Sequence, residues 1–331
     1  MAKYTDIRKI IRVNFPKAKI ISIKAFPEGY NNIVYDIGLD SGNYIIKLLK
    51  IKGFEKYVLK QKRIRTLIRK KYKKFPIPKI IKSDFSKKVI DESYIIAEKV
   101  EGKSLQNQYD KVKKKEELFE EIGELYGKLH SLKLKSYGEL DSSLNLIKKY
   151  QNYYSIKCGE VKKIFEKIEK RKLLSKETLK LNINFFNKNK LLLKKELDPC
   201  MCHGDASTAN IIVDKYDDEY KVKGLIDFEF ARAKGPIQEL FSGLRGFEKK
   251  YDYRYSLVKG YSKYGKLPKE WEKLILLYGW MGHLNQLTQI KKIKWRDLND
   301  ANTSIRKKNL RKKSILKLKE IIKVFDKKDL L

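Results

Sequence analysis

Two short stretches carry residue types that could do chemistry together. The first is Cys202-His203-Gly204-Asp205-Ala206-Ser207-Thr208-Ala209-Asn210-Ile211-Ile212-Val213; the second is Gly224-Leu225-Ile226-Asp227-Phe228-Glu229. Moving a phosphoryl group onto a hydroxyl needs a carboxylate that accepts the hydroxyl proton and aims the oxygen. It also needs oxygen ligands that hold magnesium against nucleotide phosphates. Asp205 and Asn210 stand five residues apart on an apparent loop, with Asn210 entering a strand-like apolar run. Asp227 ends a second apolar run containing Val222, Leu225 and Ile226. A buried turn, with Asp and Asn side chains capping backbone groups, uses the same residue types. The spacing, the flanking strands and the order together are hard to obtain by chance.

Such residues need elements to position them. Lys19 to Lys50 reads as three strands: Ile20, Ile21 and Ile23 lead to a Pro27-Glu28-Gly29 turn, Ile33 to Leu39 forms the second, and Tyr44 to Leu49 the third. Asp40-Ser41-Gly42 is the hairpin signal between the last two. A basic helix is expected from about Phe54 to Tyr72, stopped by Pro76-Ile77-Pro78. Two more strands are expected near Lys79 to Lys82 and Ser93 to Val100, before Glu101-Gly102 breaks the pattern. Beyond it, Glu116 to Leu132 shows a 3.6-residue apolar period. Helices are expected to continue to about Asn189, with strands and loops over Cys200 to Asp227 and mainly helix from Ile237 to Phe325. The order implies an α+β protein of two lobes with a cleft between them: a small five-stranded antiparallel lobe with one helix, residues 1–100, and a large mainly helical lobe, residues 101–331.

His-Gly-Asp-x-x-x-x-Asn followed by Ile-Asp-Phe-Glu follows the catalytic-loop and metal-loop order of protein kinases. It is similar to the aminoglycoside phosphotransferase and choline kinase family of small-molecule kinases. The resemblance covers most of the chain and implies the two-lobed protein-kinase-like fold. It implies ATP and Mg2+ as cofactors, Asp205 as catalytic base, and Asn210 and Asp227 as metal ligands. Glu28 to Tyr35 resembles the nucleotide loop, with Gly29, Asn32 and Tyr35 in matching places, although no GxGxxG is present. Lys47 matches the phosphate-binding lysine. Glu98-Lys99-Val100-Glu101-Gly102 resembles the hinge, which implies that the Glu98 carbonyl and the Val100 amide bond the adenine. GTP stays open as the donor, because backbone contacts do not reveal base choice. Ile122 to Ser131 resembles the family's long helix ending in Leu-His, with His130 structural. One position departs from the pattern. The helix Glu that pairs with the strand lysine falls on Gln61, and Glu55 is the nearby acid.

The 331 residues carry 77 Lys and Arg against 41 Asp and Glu, a formal charge of +36. A polyanion partner is one reading. The Lys residues are spread along the whole chain, which favours compositional bias, so a nucleic-acid partner is admitted but not specified. Hydrophobic residues at 42% exclude a mainly disordered chain. Three Cys form no disulfide framework and fit a reduced, cytoplasmic setting. Cys200-Met201-Cys202-His203 lacks a second pair at zinc spacing and reads as buried strand thiols. No apolar run approaches a bilayer-spanning length, so membrane insertion is not expected, and the N-terminus has no apolar leader core. The acceptor is less legible. Tyr261, Tyr264, Tyr278, Trp280 and Trp295 read as helix core or as a cage for a quaternary ammonium. Glu239, Glu248, Asp252, Asp297 and Asp300 are the candidate acids for a cationic acceptor, and Glu229 assists a second magnesium or holds its loop. The expectation is an ATP- and Mg-dependent transfer of the γ-phosphate to a hydroxyl of a small metabolite. The alternatives are a protein- or RNA-associated kinase-like protein and a nucleotide-binding module without transfer activity. Oligomeric state is not specified.

Overall fold

The computed structural model describes residues 4–26, 32–50, 53–150, 152–243, 253–290 and 300–325. The chain opens with α1 (Tyr4–Asn14), followed by β1 (Ile20–Ala25), β2 (Asn32–Leu39), β3 (Gly42–Leu49), α2 (Glu55–Lys71), β4 (Ile80–Asp84) and β5 (Ser93–Glu98). The five strands form one antiparallel sheet in the order β1-β2-β3-β5-β4. α1 is a second helix beside the one the sequence predicts here. Ile7, Ile10 and Ile11 recur at helical spacing, and all three are buried on the sheet.

Strand alternation decides which side chains face which helix. Ile46, Leu48, Tyr94 and Ile96 join α1 in one core cluster. Leu49 and Ile95 pack with Phe54 and Val58 at the start of α2. Lys47 shares the parity of Leu49, so it stands on the α2 side of the sheet rather than under α1.

β5 leads through Lys99 to Gly102 into β6 (Lys103–Ser104), the short α3 (Leu105–Gln108) and then α4 (Lys115–His130). Next come β7 (Tyr137–Leu140), β8 (Leu146–Tyr150), α5 (Tyr153–Lys170), α6 (Lys176–Asn189) and β9 (Cys200–Cys202). β10 (Ile211–Tyr216), β11 (Glu219–Leu225), β12 (Arg232–Lys234), α7 (Pro236–Gly243), α8 (Tyr253–Tyr261), α9 (Trp271–Gln289) and α10 (Asp300–Phe325) complete the described elements. The β7–β8 hairpin falls inside a stretch expected to be helical. Its turn is organised by Asp141, whose Oδ1 accepts the N–H of Ser143 (2.7 Å) and of Asn145 (2.8 Å). That local alternative to the helix is a known property of Asp.

Two small sheets and one helix pair frame the catalytic stretch. β6, β10 and β11 form one sheet; β8, β7, β12 and β9 form another. α4 and α8 approach closely because glycines meet at the crossing: a Cβ on Gly123 would lie 2.0 Å from the Leu257 carbonyl oxygen, and one on Gly260 1.9 Å from that of Glu120. Ile64 and Ile68 of α2 share a core with α4, β10 and β11, which couples the first half of the chain to the second. α9 is buried nearly all round, as an apolar central helix must be.

Candidate active site

β9 delivers the chain into His203-Gly204-Asp205. Gly204 has φ +84°, and a Cβ there would lie 2.0 Å from the carbonyl oxygen of Phe230, so the turn requires glycine. The imidazole of His203 is fully buried. Its Nε2 lies 2.7 Å from the Ile226 carbonyl oxygen, which can only accept, so Nε2 carries the proton. Nδ1 is then free to accept the Asp205 N–H at 3.3 Å. One ring thus links Asp205 to the residue before Asp227.

Asn210 makes the second link. Its Nδ2 donates to the Asp205 carbonyl oxygen (2.9 Å) and to Asp205 Oδ2 (3.0 Å). Its own carbonyl accepts the Ile226 N–H at 3.0 Å. The Asn210 amide nitrogen is therefore committed to Asp205, and its oxygen is the donor left for a metal. Asp227 sits in the left-handed region (φ +69°, ψ +59°), an uncommon conformation for a residue with a Cβ. Its Oδ1 lies 3.4 Å from Lys47 Nζ, across the cleft on β3. Asp205 is exposed. Asn210 and Asp227 offer the hard oxygen donors that Mg2+ takes, and Lys47 offers a cation beside them.

Beneath the loop lies Glu239 of α7, buried. It accepts the His203 N–H (2.8 Å), the Gly204 N–H (2.7 Å) and a bond from His130 Nε2 (2.8 Å). Burial alone would raise its pKa, but the hydrogen bond and charge of His130, with His203 and the Gly204 amide, hold it down at about 2. Glu239 is thus corrected from a candidate acceptor-groove acid to the anchor of the catalytic loop. Sequence offered no local signal for this, because its partners lie at positions 130, 203 and 204. His203 was likewise legible as part of the motif but not as the tether to Ile226.

The remaining sequence candidates fall as follows. Gly29 lies outside the described residues. Asn32 opens β2, is 7% exposed, and its amide oxygen has no partner among the described residues. Glu98 closes β5; its N–H donates to the Lys79 carbonyl (2.9 Å), and its Oε2 accepts the Lys79 N–H (2.8 Å). Val100 packs its side chain against Gly224, one residue from Leu225 at the end of β11. Among the described residues, neither Glu55 nor Gln61 bonds Lys47; Asp227 does. α2 contributes Lys60 instead, whose buried Nζ donates to the Ala231 carbonyl at 3.1 Å. Glu229 is buried and lines a cleft of about 340 Å³ with Lys56, Lys60, Glu139 and Arg232.

Of the aromatic stripe, Tyr261, Tyr278 and Trp280 are core and not a cage, whereas Tyr264 is exposed. Trp280 is fully buried, stacked on Phe186 with centroids 5.8 Å apart, and its Nε1 donates to Asn182 Oδ1. The Tyr278 hydroxyl donates to Glu196 at 2.5 Å, and Tyr261 is buried against the His130 ring. Trp295, Glu248, Asp252 and Asp297 lie outside the described residues.

The fold and the site together define a two-lobed, kinase-like phosphotransferase architecture. Residues 22–274 match the Phosphotransferase enzyme family, and the chain belongs to that family. Solved structures with the same fold include the GDP complex of wild-type aminoglycoside 2'-phosphotransferase-IIIa. It is 15% identical with a TM-score of 0.70 over 95% of this chain and 99% of that one. A GDP and kanamycin complex of a 2"-phosphotransferase is 14% identical, TM-score 0.64, over 97% and 99%. A thermostable mutant of aminoglycoside phosphotransferase APH(4)-Ia, in ternary complex with AMP-PNP and hygromycin B, is 12% identical, TM-score 0.62, over 96% and 98%. A comparison with curated proteins finds no match. No helix among the described residues is long and apolar enough to cross a membrane.

Proposed function

We propose that this protein is an ATP- and Mg2+-dependent phosphotransferase that moves the γ-phosphate to a hydroxyl of a small metabolite. The observation that carries the reading is the continuous bonded set Asp205–Asn210–Ile226/Asp227–Lys47, which joins a base, two oxygen donors and a cation across the cleft. In this reading Asp205 accepts the acceptor's proton and aims its oxygen at phosphorus. Asn210 Oδ1 and the Asp227 carboxylate hold magnesium, which when bound neutralises charge on the phosphates. Lys47 leaves Asp227 for a phosphate oxygen. Residues 1–100 hold the nucleotide, with Gly29 and Asn32 at the phosphate loop and the Glu98 carbonyl and Val100 amide at the adenine. Residues 101–331 carry the base and the acceptor.

The structural relatives were solved with GDP, ADP or AMP-PNP and with kanamycin or hygromycin B. These support a nucleotide donor and a hydroxyl-bearing acceptor. The +36 charge opposes long-range approach of a polycation and favours a neutral or anionic acceptor, within the limits of screening at about 8 Å. The location consistent with this chemistry is the cytoplasm. The test offers γ-labelled Mg-ATP and Mg-GTP with pooled alcohols, amino alcohols, sugars, nucleosides and hydroxy amino acids to the native protein and to Asp205→Asn. Label entering a small molecule with the native protein alone is the expected result. Equal incorporation by both proteins overturns the role given to Asp205.

A further inference from the structure

Directly behind the catalytic loop three soft ligands converge. His130 at the end of α4 and Cys200 and Cys202 on β9 are buried, and their ligand atoms all lie within 4.8 Å of one another. The two cysteines are i and i+2 on one strand, so both thiols leave the same face. His130 arrives from a distant helix with one nitrogen already spoken for: Nε2 faces Glu239 at 2.8 Å. Among the described residues its Nδ1 is buried with no hydrogen-bond partner, and Cys202 lies beside the ring. An orphan ring nitrogen in a dry core is costly in any protonation state, because water cannot reach it. Tyr126 stacks over the ring at 5.9 Å and Tyr261 meets its edge at 5.6 Å, which keeps solvent out.

We infer that His130, Cys200 and Cys202 form a buried binding site for a thiophilic d10 cation, Zn2+. Three distances fit this cation. Two sulfurs each at about 2.3 Å from a tetrahedral zinc stand about 3.8 Å apart; the two Sγ atoms are 3.7 Å apart. A sulfur and an oxygen on such a zinc stand about 3.6 Å apart. The Lys234 carbonyl oxygen lies 3.5 Å from Cys200 Sγ and 3.7 Å from Cys202 Sγ, and so supplies a fourth donor. The Gly235 carbonyl is farther, 4.0 Å from Cys202 Sγ. Drawing His130 into the tetrahedron needs a shift of about 1 Å. Charge favours a divalent ion, since two thiolates and Zn2+ sum to zero, whereas either thiolate alone would be a buried charge. Glu239 on the far nitrogen completes the carboxylate–histidine–metal arrangement that orients a metal-bound imidazole. Binding releases two thiol protons. Because all three ligands are buried, the ion enters as the chain folds. The role is structural: the ion ties α4 to β9 three residues before Asp205.

The full-length protein, expressed with zinc and purified under reducing conditions, should hold about one zinc per chain by elemental mass spectrometry. Expression with cobalt should give a near-ultraviolet thiolate-to-cobalt charge-transfer band and the visible bands of tetrahedral Co2+. Both should be lost in Cys202→Ser and kept in Cys158→Ser, which alters the cysteine outside the cluster. Three results would overturn the site. One is folded native protein with less than a tenth of an equivalent of either metal. Another is a Cys200–Cys202 disulfide under the same conditions. The last is cobalt bands unchanged in Cys202→Ser. The native measurement decides even where a variant fails to fold.

Discussion

Asp205 and Lys47 approach the same point from opposite sides of the cleft, and they are held in different ways. Around Asp205 the loop is tied from three directions. Glu239 takes the amides of His203 and Gly204, His203 reaches the Ile226 carbonyl, and Asn210 grips both the backbone and the carboxylate of Asp205. Lys47 has its strand position between β2 and β5 and, among the described residues, a hydrogen bond of 3.4 Å to Asp227. That contact is partly exposed on both sides. Asp205 is preorganised by buried bonds, which is where electrostatic catalysis by the proposed base would gain most. The lysine is held by a longer, more exposed contact, as the proposed exchange of Asp227 for a phosphate requires.

If that contrast holds, the largest effect belongs to the base itself. Asp205→Asn keeps an oxygen for Asn210 Nδ2 but cannot take a proton. It should lower kcat by about 10²- to 10⁴-fold with little change in melting temperature, read by steady-state kinetics and a thermal scan. Next comes the anchor. Glu239→Gln leaves buried amides and His130 with a weaker acceptor, and should destabilise the fold by about 3 kcal/mol or more in denaturant titrations. Gly204→Ala should lose about 1–3 kcal/mol from the strained φ alone, with added loss from the clash at Phe230. Chevron or equilibrium urea curves would show either change.

The looser side should respond in binding rather than in folding. Lys47→Met is expected to raise KM for the nucleotide by about tenfold or more while stability shifts by under about 1 kcal/mol, as exposed ion pairs do. Gln61→Ala and Glu55→Ala should leave KM within about twofold, since neither side chain meets Lys47; a larger loss from either would mean that α2 orients the lysine after all. The smallest effect concerns Lys60. Burial, then Arg232, lowers its pKa to about 8. A lysine depressed in the fold binds its proton less tightly than in the unfolded chain, so the native state gains stability as pH rises from about 8 to 10.5. Lys60 is buried but lines the cleft beside Glu229, where solvent in the cleft screens its charge, so the gain is discounted to about 1 kcal/mol or less, and Lys60→Met should abolish it in urea melts across that window.

The same contrast explains what could be read from sequence. Asp205, Asn210 and Asp227 were legible because their chemistry is written at short range, in one spacing and two apolar runs. The β2–β3 hairpin and α2 were legible for the same reason. Glu239 was not, because its three partners are brought to it by tertiary packing. Tyr278 and Trp280 sit on a helix that is apolar all round, and periodicity cannot distinguish a buried stripe from a lined pocket. The β7–β8 hairpin was read as helix, because nothing in the pattern showed that one Asp side chain, Asp141, outcompetes the helix locally. Gln61 marked a departure from the family pattern that sequence could notice but not resolve; among the described residues Lys47 bonds Asp227 and neither Gln61 nor Glu55.

The central claim is that Asp205 serves transfer and not nucleotide binding. The most direct test measures both in one variant: calorimetric affinity for Mg-ATP, and single-turnover transfer of labelled phosphate to the acceptor found in the pooled assay. The account predicts that Asp205→Asn binds Mg-ATP within about twofold of the native protein yet transfers at least about 100-fold more slowly. Native transfer rates in the variant, or a loss of binding that matches the loss of rate, would contradict it.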